Sequence, residues 1–192
     1  MGVEAGREDP KITPVNHPLL SGMAEISAKH RVYQGILETG RFWVLDEHRV
    51  RGKATLPGTG YIELIRAAYE DLTGSGTCEI CELLFLLPLD VEDNTRLPVH
   101  IDLRKESDDY QFTVKSRVGE RWREHARGRI SGLRENRSGT PTQNIGQLAG
   151  RCGETVVQRP GAKGQTGGDG GFLDVGPRWD NIKTLRYGGN EG

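Results

Sequence analysis

The run from Asp46 to Tyr61, DEHRVRGKATLPGTGY, places one imidazole, His48, on a stretch of extended character and follows it with a Pro57-Gly58 turn. A neutral histidine ring can take up a proton near neutral pH. The first amides of a helix have no intrahelical partners and, together with the helix dipole, favour negative charge. A base facing such amides is what proton removal beside a thioester carbonyl requires, because the electron pair left behind develops on the carbonyl oxygen. A single histidine near a turn is, on its own, more often a surface or hydrogen-bonded residue. Residue type and placement therefore leave both readings open.

Elements on both sides must position this stretch. Ahead of it, Lys29 to Leu37 alternates at strand period, and Arg41 to Val50 carries aromatic and β-branched residues around a polar centre. These segments predict an extended pair with a turn at Thr39-Gly40. Behind it, the pattern predicts a helix, with Thr59 as N-cap and Tyr61, Ile62, Leu64, Ile65, Ala68 and Tyr69 at helical spacing until Gly74. That helix is apolar around most of its girth and calls for structure wrapped about it. Four strand-like runs follow: Thr77 to Leu87, Leu97 to Arg104, Tyr110 to Val118 and Arg121 to Ile130, the last three read as an antiparallel meander. The class is α+β, with a strongly curved sheet enclosing a central helix.

Bulk properties narrow the function classes. The 26 Lys and Arg against 27 Asp and Glu leave a net charge of −1, with no broad attraction for nucleic acid. No apolar run is long enough for a membrane span, and the first residues lack the apolar centre of a secretory signal. Gly6 stands where N-myristoylation usually wants Ser or Thr. Three cysteines do not form a disulfide framework, so a cytoplasmic address is expected. The organisation reads as a disordered tail over 1–16, one ordered unit over 17–131, a Gly-rich linker over 132–171 and the start of a truncated second unit over 172–192.

His48, Gly52 and Pro57 fit the spacing HxxxGxxxxP, and Gly58-Thr59-Gly60-Tyr61-Ile62-Glu63-Leu64 continues it into the helix. With HPLL at His17 to Leu20 and Val175-Gly176-Pro177-Arg178-Trp179 near the end, the chain resembles the dehydratase domains of polyketide synthases. The resemblance implies a hot-dog fold, here a truncated double hot-dog with its active site between two units. It makes His48 the catalytic base and Gly58 the amide donor to the thioester carbonyl. It assigns substrate contact to Gly52, Leu56, Pro57, Gly58 and Tyr61. It implies no metal and no cofactor, the acyl chain arriving on the phosphopantetheine of an acyl carrier protein. Acyl carrier protein and other synthase domains are the partners it implies.

The family's catalytic aspartate belongs to a DxxxQ or DxxxH motif in the second unit, and no such motif stands here. Asp174 and Asp180 flank VGPRW and read as linker or turn acids. The chain alone is therefore expected to dehydrate little or nothing. Val175 replaces the tyrosine usual in the family's GYGPxF motif, and Trp179 its phenylalanine. A catalytically silent carrier-binding or structural module, or a double-bond-shifting or ring-forming relative, are the alternatives. A lone first unit would also expose apolar surface, so self-association is expected.

The remaining signals are structural. Cys78-Glu79-Ile80-Cys81 is a CxxC on a strand-like run, where residues three apart face opposite ways, and Cys152 stands apart. Gly161 to Gly171 lacks the order of a phosphate loop. Arg121, Trp122, Arg123, Arg127 and Arg129 read as a solvated edge, with carrier-protein docking as their other use. His30, His100 and His125 are expected to make local hydrogen bonds.

Overall fold

A computed structural model describes residues 11–133, 144–151, 154–157, 173–179 and 184–187. In chain order the elements are β1 (Ile12–Pro14), β2 (Gly22–Ser27), β3 (His30–Leu37), α1 (Trp43–Asp46), β4 (His48–Val50), β5 (Lys53–Thr55), α2 (Gly58–Thr73), β6 (Cys78–Phe85) and β7 (Asp90–Val91). They continue with β8 (Leu97–Glu106), β9 (Asp109–Val118), β10 (Arg121–Gly132), α3 (Ile145–Arg151), β11 (Glu154–Val157), β12 (Leu173–Val175), a 3-10 turn (Pro177–Trp179) and β13 (Thr184–Tyr187).

Seven strands form one antiparallel sheet in the order β1-β2-β3-β8-β9-β10-β6. The expected meander is present, its turns at Ser107-Asp108 and Gly119-Glu120 joining the pairs Glu106↔Asp109 and Val118↔Arg121. Register shifts in β10 between Glu124 and Ala126 and between Arg127 and Arg129 are bulges, which bend a sheet and increase its twist. At the second, a Cβ on Gly128 would lie 2.7 Å from the Phe112 ring and 3.0 Å from the Cys81 carbonyl, so only glycine fits there.

Helix α2 packs against β8, β9 and β10. Tyr61, Leu64, Ile65, Ala67, Ala68 and Tyr69 are buried with Val99, Ile101, Leu103, Phe112, Val114, Ala126 and Ile130 in one core. Each large side chain so buried contributes roughly 1.5–3 kcal/mol. Gly74 ends the helix in the left-handed conformation, φ 74°, and its N–H donates to the Glu70 carbonyl at 2.8 Å.

Several expectations are corrected. Arg41 to Val50 is not one strand, because Trp43–Asp46 is a helical turn. The Glu38 carbonyl accepts the Arg41 and Phe42 N–H groups at 3.2 and 3.1 Å, and the turn carries Leu45 into the core while Trp43 stays exposed. β3 pairs with β2 and β8 instead. Thr59 does not cap α2; Pro57 does, extended at φ −68° and ψ 156°, with no side-chain cap hydrogen bond. Its carbonyl accepts the Gly60 N–H at 2.8 Å.

Ile12–Pro14, expected in the tail, pairs with β2 as an edge strand. Within the Gly-rich linker, α3 and β11 form where Leu148 and Val156-Val157 mark a short ordered patch in the sequence, and β11 pairs with β13. Of the arginine stripe, Arg127 and Arg129 lie between β9 and β6, whereas Arg121, Trp122 and Arg123 run on past the last pair with β6, Ala126↔Phe85, and are exposed as expected of an edge. Arg129 pairs with Asp109 and Glu82, and Trp122 stacks on His100 at 3.8 Å. Cys152, Asp180 and Gly161 to Gly171 lie outside the described residues.

Candidate active site

A smaller four-stranded sheet, β12-β4-β5-β7, carries His48. β4 and β5 form a hairpin in which Val50 pairs with Lys53, and the two residues between them, Arg51 and Gly52, both have positive φ, 51° and 79°. This combination matches the right-handed strand twist and favours glycine at the second position. A Cβ on Gly52 would meet nothing within 4 Å, so the conformation and not space selects glycine there. Arg49 braces the hairpin, donating to Asp46 at 2.8 Å, to Asp93 at 2.9 and 3.1 Å and to the Gly52 carbonyl at 3.3 Å.

His48 opens β4 and is half-buried. Its Nδ1 lies 2.7 Å from the Thr55 carbonyl oxygen across the hairpin. A carbonyl only accepts, so Nδ1 carries the hydrogen and the lone pair of the neutral ring falls on Nε2. Among the described residues Nε2 has no hydrogen-bond partner. Thr55 is fixed in turn, its hydroxyl donating to Asp90 Oδ1 at 2.8 Å, and Leu56 N–H donates to the Leu89 carbonyl at 2.9 Å. One short hairpin thus ties the imidazole to the peptide chain just before α2 begins.

A cleft of about 390 Å³ opens at the start of α2, lined by Leu56, Gly58, Tyr61, Phe85, Leu86, Leu87 and Pro88. Its lining is mainly apolar, suited to an acyl chain. Gly58 is exposed there, whereas Leu56, Pro57 and Tyr61 are buried. The Tyr61 ring meets Phe85 edge-on at 5.2 Å, and burial pushes its phenol well above the ordinary range. A Cβ on Gly60 would fall 2.6 Å from Leu56, so glycine keeps Leu56 seated against the helix. His48 is not among the lining residues; Thr55 and Leu56 link it to the cleft.

Of the sequence-assigned contacts, the structure brings Leu56, Gly58 and Tyr61 to the cleft and sets Pro57 beneath as the helix cap. Gly52 is exposed at the hairpin tip with positive φ and is not among the cleft-lining residues.

Two residues do more than the sequence indicates: His125, expected only to make local hydrogen bonds, and Glu47, which the sequence does not single out. His125 holds the cleft wall, its Nδ1 2.9 Å from the Pro88 carbonyl, its Nε2 2.8 Å from Ser116 Oγ and its own carbonyl accepting the Leu86 N–H at 2.8 Å. Glu47 anchors the far segment: Gly176 N–H donates to its carbonyl at 2.8 Å, and Arg178 binds both carboxylate oxygens. That segment joins the small sheet through Val175↔His48 and puts the Trp179 ring 5.5 Å from the imidazole. Asp174 pairs in register with Arg49 and is exposed. Cys78 and Cys81 are free thiols, half-buried and exposed. Among the described residues no group of three or more His, Cys, Asp or Glu converges as a metal site.

A family model described as polyketide synthase dehydratase domain matches residues 17–117. Polyketide synthase GfsE of Streptomyces halstedii is 32% identical over 123 residues, which is 61% of this chain and 3% of that protein. The dehydratase domain from the terminal module of the rifamycin polyketide synthase superposes with a TM-score of 0.78 at 23% identity, covering 93% of this chain and 63% of that one. For the dehydratase domain of the CurF module of the curacin synthase the values are 0.75, 22%, 90% and 62%. Solved relatives also include two inactive variants of the CurK dehydratase, one with histidine replaced by phenylalanine and one with aspartate replaced by asparagine. The chain thus spans about three fifths of the solved domains and a few per cent of the curated synthases. With more than half of its residues matched and the hot-dog architecture shared, the chain belongs to the polyketide synthase dehydratase domain family, a family of lyases.

Proposed function

We propose that this chain supplies the base half of a dehydratase acting on a 3-hydroxyacyl thioester of acyl carrier protein. The Nε2 lone pair of His48 takes the proton from C2. The electrons of that C–H bond pass first to the thioester oxygen as an enolate and then form the C2=C3 double bond as the C3–O bond breaks. The hydroxyl leaves as water with a proton from an acid, giving the 2,3-enoyl thioester. That acid is assigned to the aspartate of a second hot-dog unit, a division of labour that agrees with the two inactive CurK variants.

The observation that carries the reading is the Nδ1 to Thr55 bond, which leaves the basic nitrogen of His48 uncommitted. The Gly58 amide, exposed at a helix start without a side-chain cap, is the donor for the thioester oxygen. Leu56, Pro57 and Tyr61 shape the apolar cleft for the acyl chain, and Gly52 acts through the hairpin turn. The phosphopantetheine arm comes with the substrate, and no cofactor or metal enters the scheme. The other partners are the neighbouring synthase domains. Leu84 and Phe85 on edge strand β6, with Leu86 and Leu87 beyond it, form an exposed apolar strip that favours self-association of this chain. Among the described residues no helix is long and apolar enough to cross a membrane, in keeping with a cytoplasmic setting.

Exchange of the C2 hydrogen of a 3-hydroxyacyl pantetheine thioester in D2O tests the base directly, since this half-reaction needs no acid. The chain should catalyse it, and His48→Phe should lower the rate about 10²–10⁴-fold. Equal exchange by the variant and the parent chain overturns the assignment. Val175, half-exposed and without a hydroxyl, favours the second reading, a silent carrier-binding module. Carrier-protein binding with no exchange above buffer would support that reading.

A further inference from the structure

We infer that Glu47 is a positioning residue for His48 and that it acts through Trp179. The inference rests on the reading of His48 as the base.

The Glu47 side chain is only 14% exposed, low for a carboxylate beside a four-residue helix. It is wholly engaged by one segment lying 131 residues further along the chain. Oε2 accepts the Arg178 backbone N–H at 2.9 Å, Oε1 accepts from the Arg178 guanidinium at 2.7 Å, and the Glu47 carbonyl accepts the Gly176 N–H at 2.8 Å. The approach is so close that a Cβ on Gly176 would fall 2.3 Å from Glu47 Cγ. Three bonds and an obligatory glycine thus set the register of the Pro177–Trp179 turn.

The product of this register is a wall. The Trp179 ring lies 5.5 Å from the His48 ring at 46° and 5.9 Å from Trp43 in an edge contact. The Thr55 carbonyl holds the imidazole at one nitrogen, which still permits rocking about that hydrogen bond. A packed indole against the ring restricts the rocking and so aims Nε2. Reactive groups need support of this kind, because their geometry must hold to about 0.5 Å.

The test reads the His48 ring-proton resonances of the full chain by NMR, where the indole ring current marks the contact. Trp179→Leu sets the reference for an uncovered imidazole. Glu47→Ala and Gly176→Val should move the His48 resonances toward that reference and lower kcat for C2 exchange by about 10²-fold at little change in KM, as expected for a misplaced base. Glu47→Gln, which keeps an acceptor for the Arg178 N–H, should restore most of both. Unchanged amide resonances in β8 to β10 report an intact fold, and Arg178→Ala replaces Glu47→Ala if the latter does not fold. The proposal fails if Trp179→Leu leaves the His48 resonances in place, or if it moves them while Glu47→Ala does not. Resonances that behave as expected, with exchange indifferent to His48→Phe, would sink the base assignment and leave the positioning intact.

Discussion

His125, in the seven-stranded sheet, has both ring nitrogens engaged, by Ser116 Oγ and by the Pro88 carbonyl, and is 3% exposed. His48, in the four-stranded sheet, is half-buried and has one nitrogen engaged, by Thr55. The first ring is a strut, and the second has a lone pair to spare. The sheets around them differ in the same way. The large one is made mostly of long strands wrapped on α2, with a core of Leu, Ile, Val, Phe, Tyr and Ala. The small one joins two- and three-residue strands from distant parts of the chain. Stability resides in the first and, under the proposed function, chemistry in the second, and substitutions should separate them.

The largest effect on stability is expected at Phe112, fully buried beneath α2. Phe112→Ala should cost about 3–5 kcal/mol, read as a lower denaturant midpoint with unchanged slope. His48→Phe, by contrast, should shift that midpoint little while abolishing exchange. A midpoint that fell equally in both would erase the distinction between the sheets.

An intermediate effect is expected at His125. His125→Ala leaves Ser116 and the Pro88 carbonyl without partners and should cost about 1–3 kcal/mol. Burial, opposed by the carbonyls of Leu87 and Pro88, holds this imidazole below its ordinary 6.5. The unfolded chain therefore binds the proton first on acidification. The residue's stabilising contribution is complete above about pH 6.5 and is lost as pH falls through the lowered folded value. Burial depresses His100 as well, so the substitution should flatten only part of the acid-side slope in a midpoint-against-pH series. A slope identical to the parent's would show that His125 is not the strut described.

The smallest effect is expected where a third histidine meets a carboxylate. Glu63 accepts from Arg66 at 2.8 Å and lies 3.1 Å from His17 Nε2. Arg66 first, then His17 against desolvation, hold its carboxyl at about 2, below the ordinary 4.5. The contribution is present above pH 4.5 and fades as pH falls from there toward 2. With the Glu63 side chain 41% exposed, solvent screens the pair, and Glu63→Gln should cost no more than about 1 kcal/mol. A larger loss at neutral pH would place this surface cluster among the struts.

The sequence made α2 and the meander legible because their cues are local: a helical period that ends at Gly74, and strand runs broken by two-residue turns. It marked His48 and Gly58 through their spacing around Pro57. Arg41 to Val50 misled because its aromatic and β-branched residues suit a strand, and only the tertiary demand for Leu45 in the core decides for a helical turn. For Gly52 the spacing from His48 is the same whether glycine serves a ligand or a positive φ, so spacing alone does not separate the two uses. Glu47 and the pairing of β12 with β4 left no local trace, since the partners lie more than a hundred residues apart.

Helix α2 is capped by Pro57, whose side chain has no oxygen to offer the amides that follow it. A serine, threonine or aspartate at such a place typically strengthens a protein by about 1 kcal/mol. Under the proposed function the added oxygen, bonded to the Thr59 or Gly60 N–H, would set a partial negative charge beside the Gly58 amide that is to hold the enolate oxygen. Selection for heat resistance and selection for turnover would therefore pull position 57 in opposite directions.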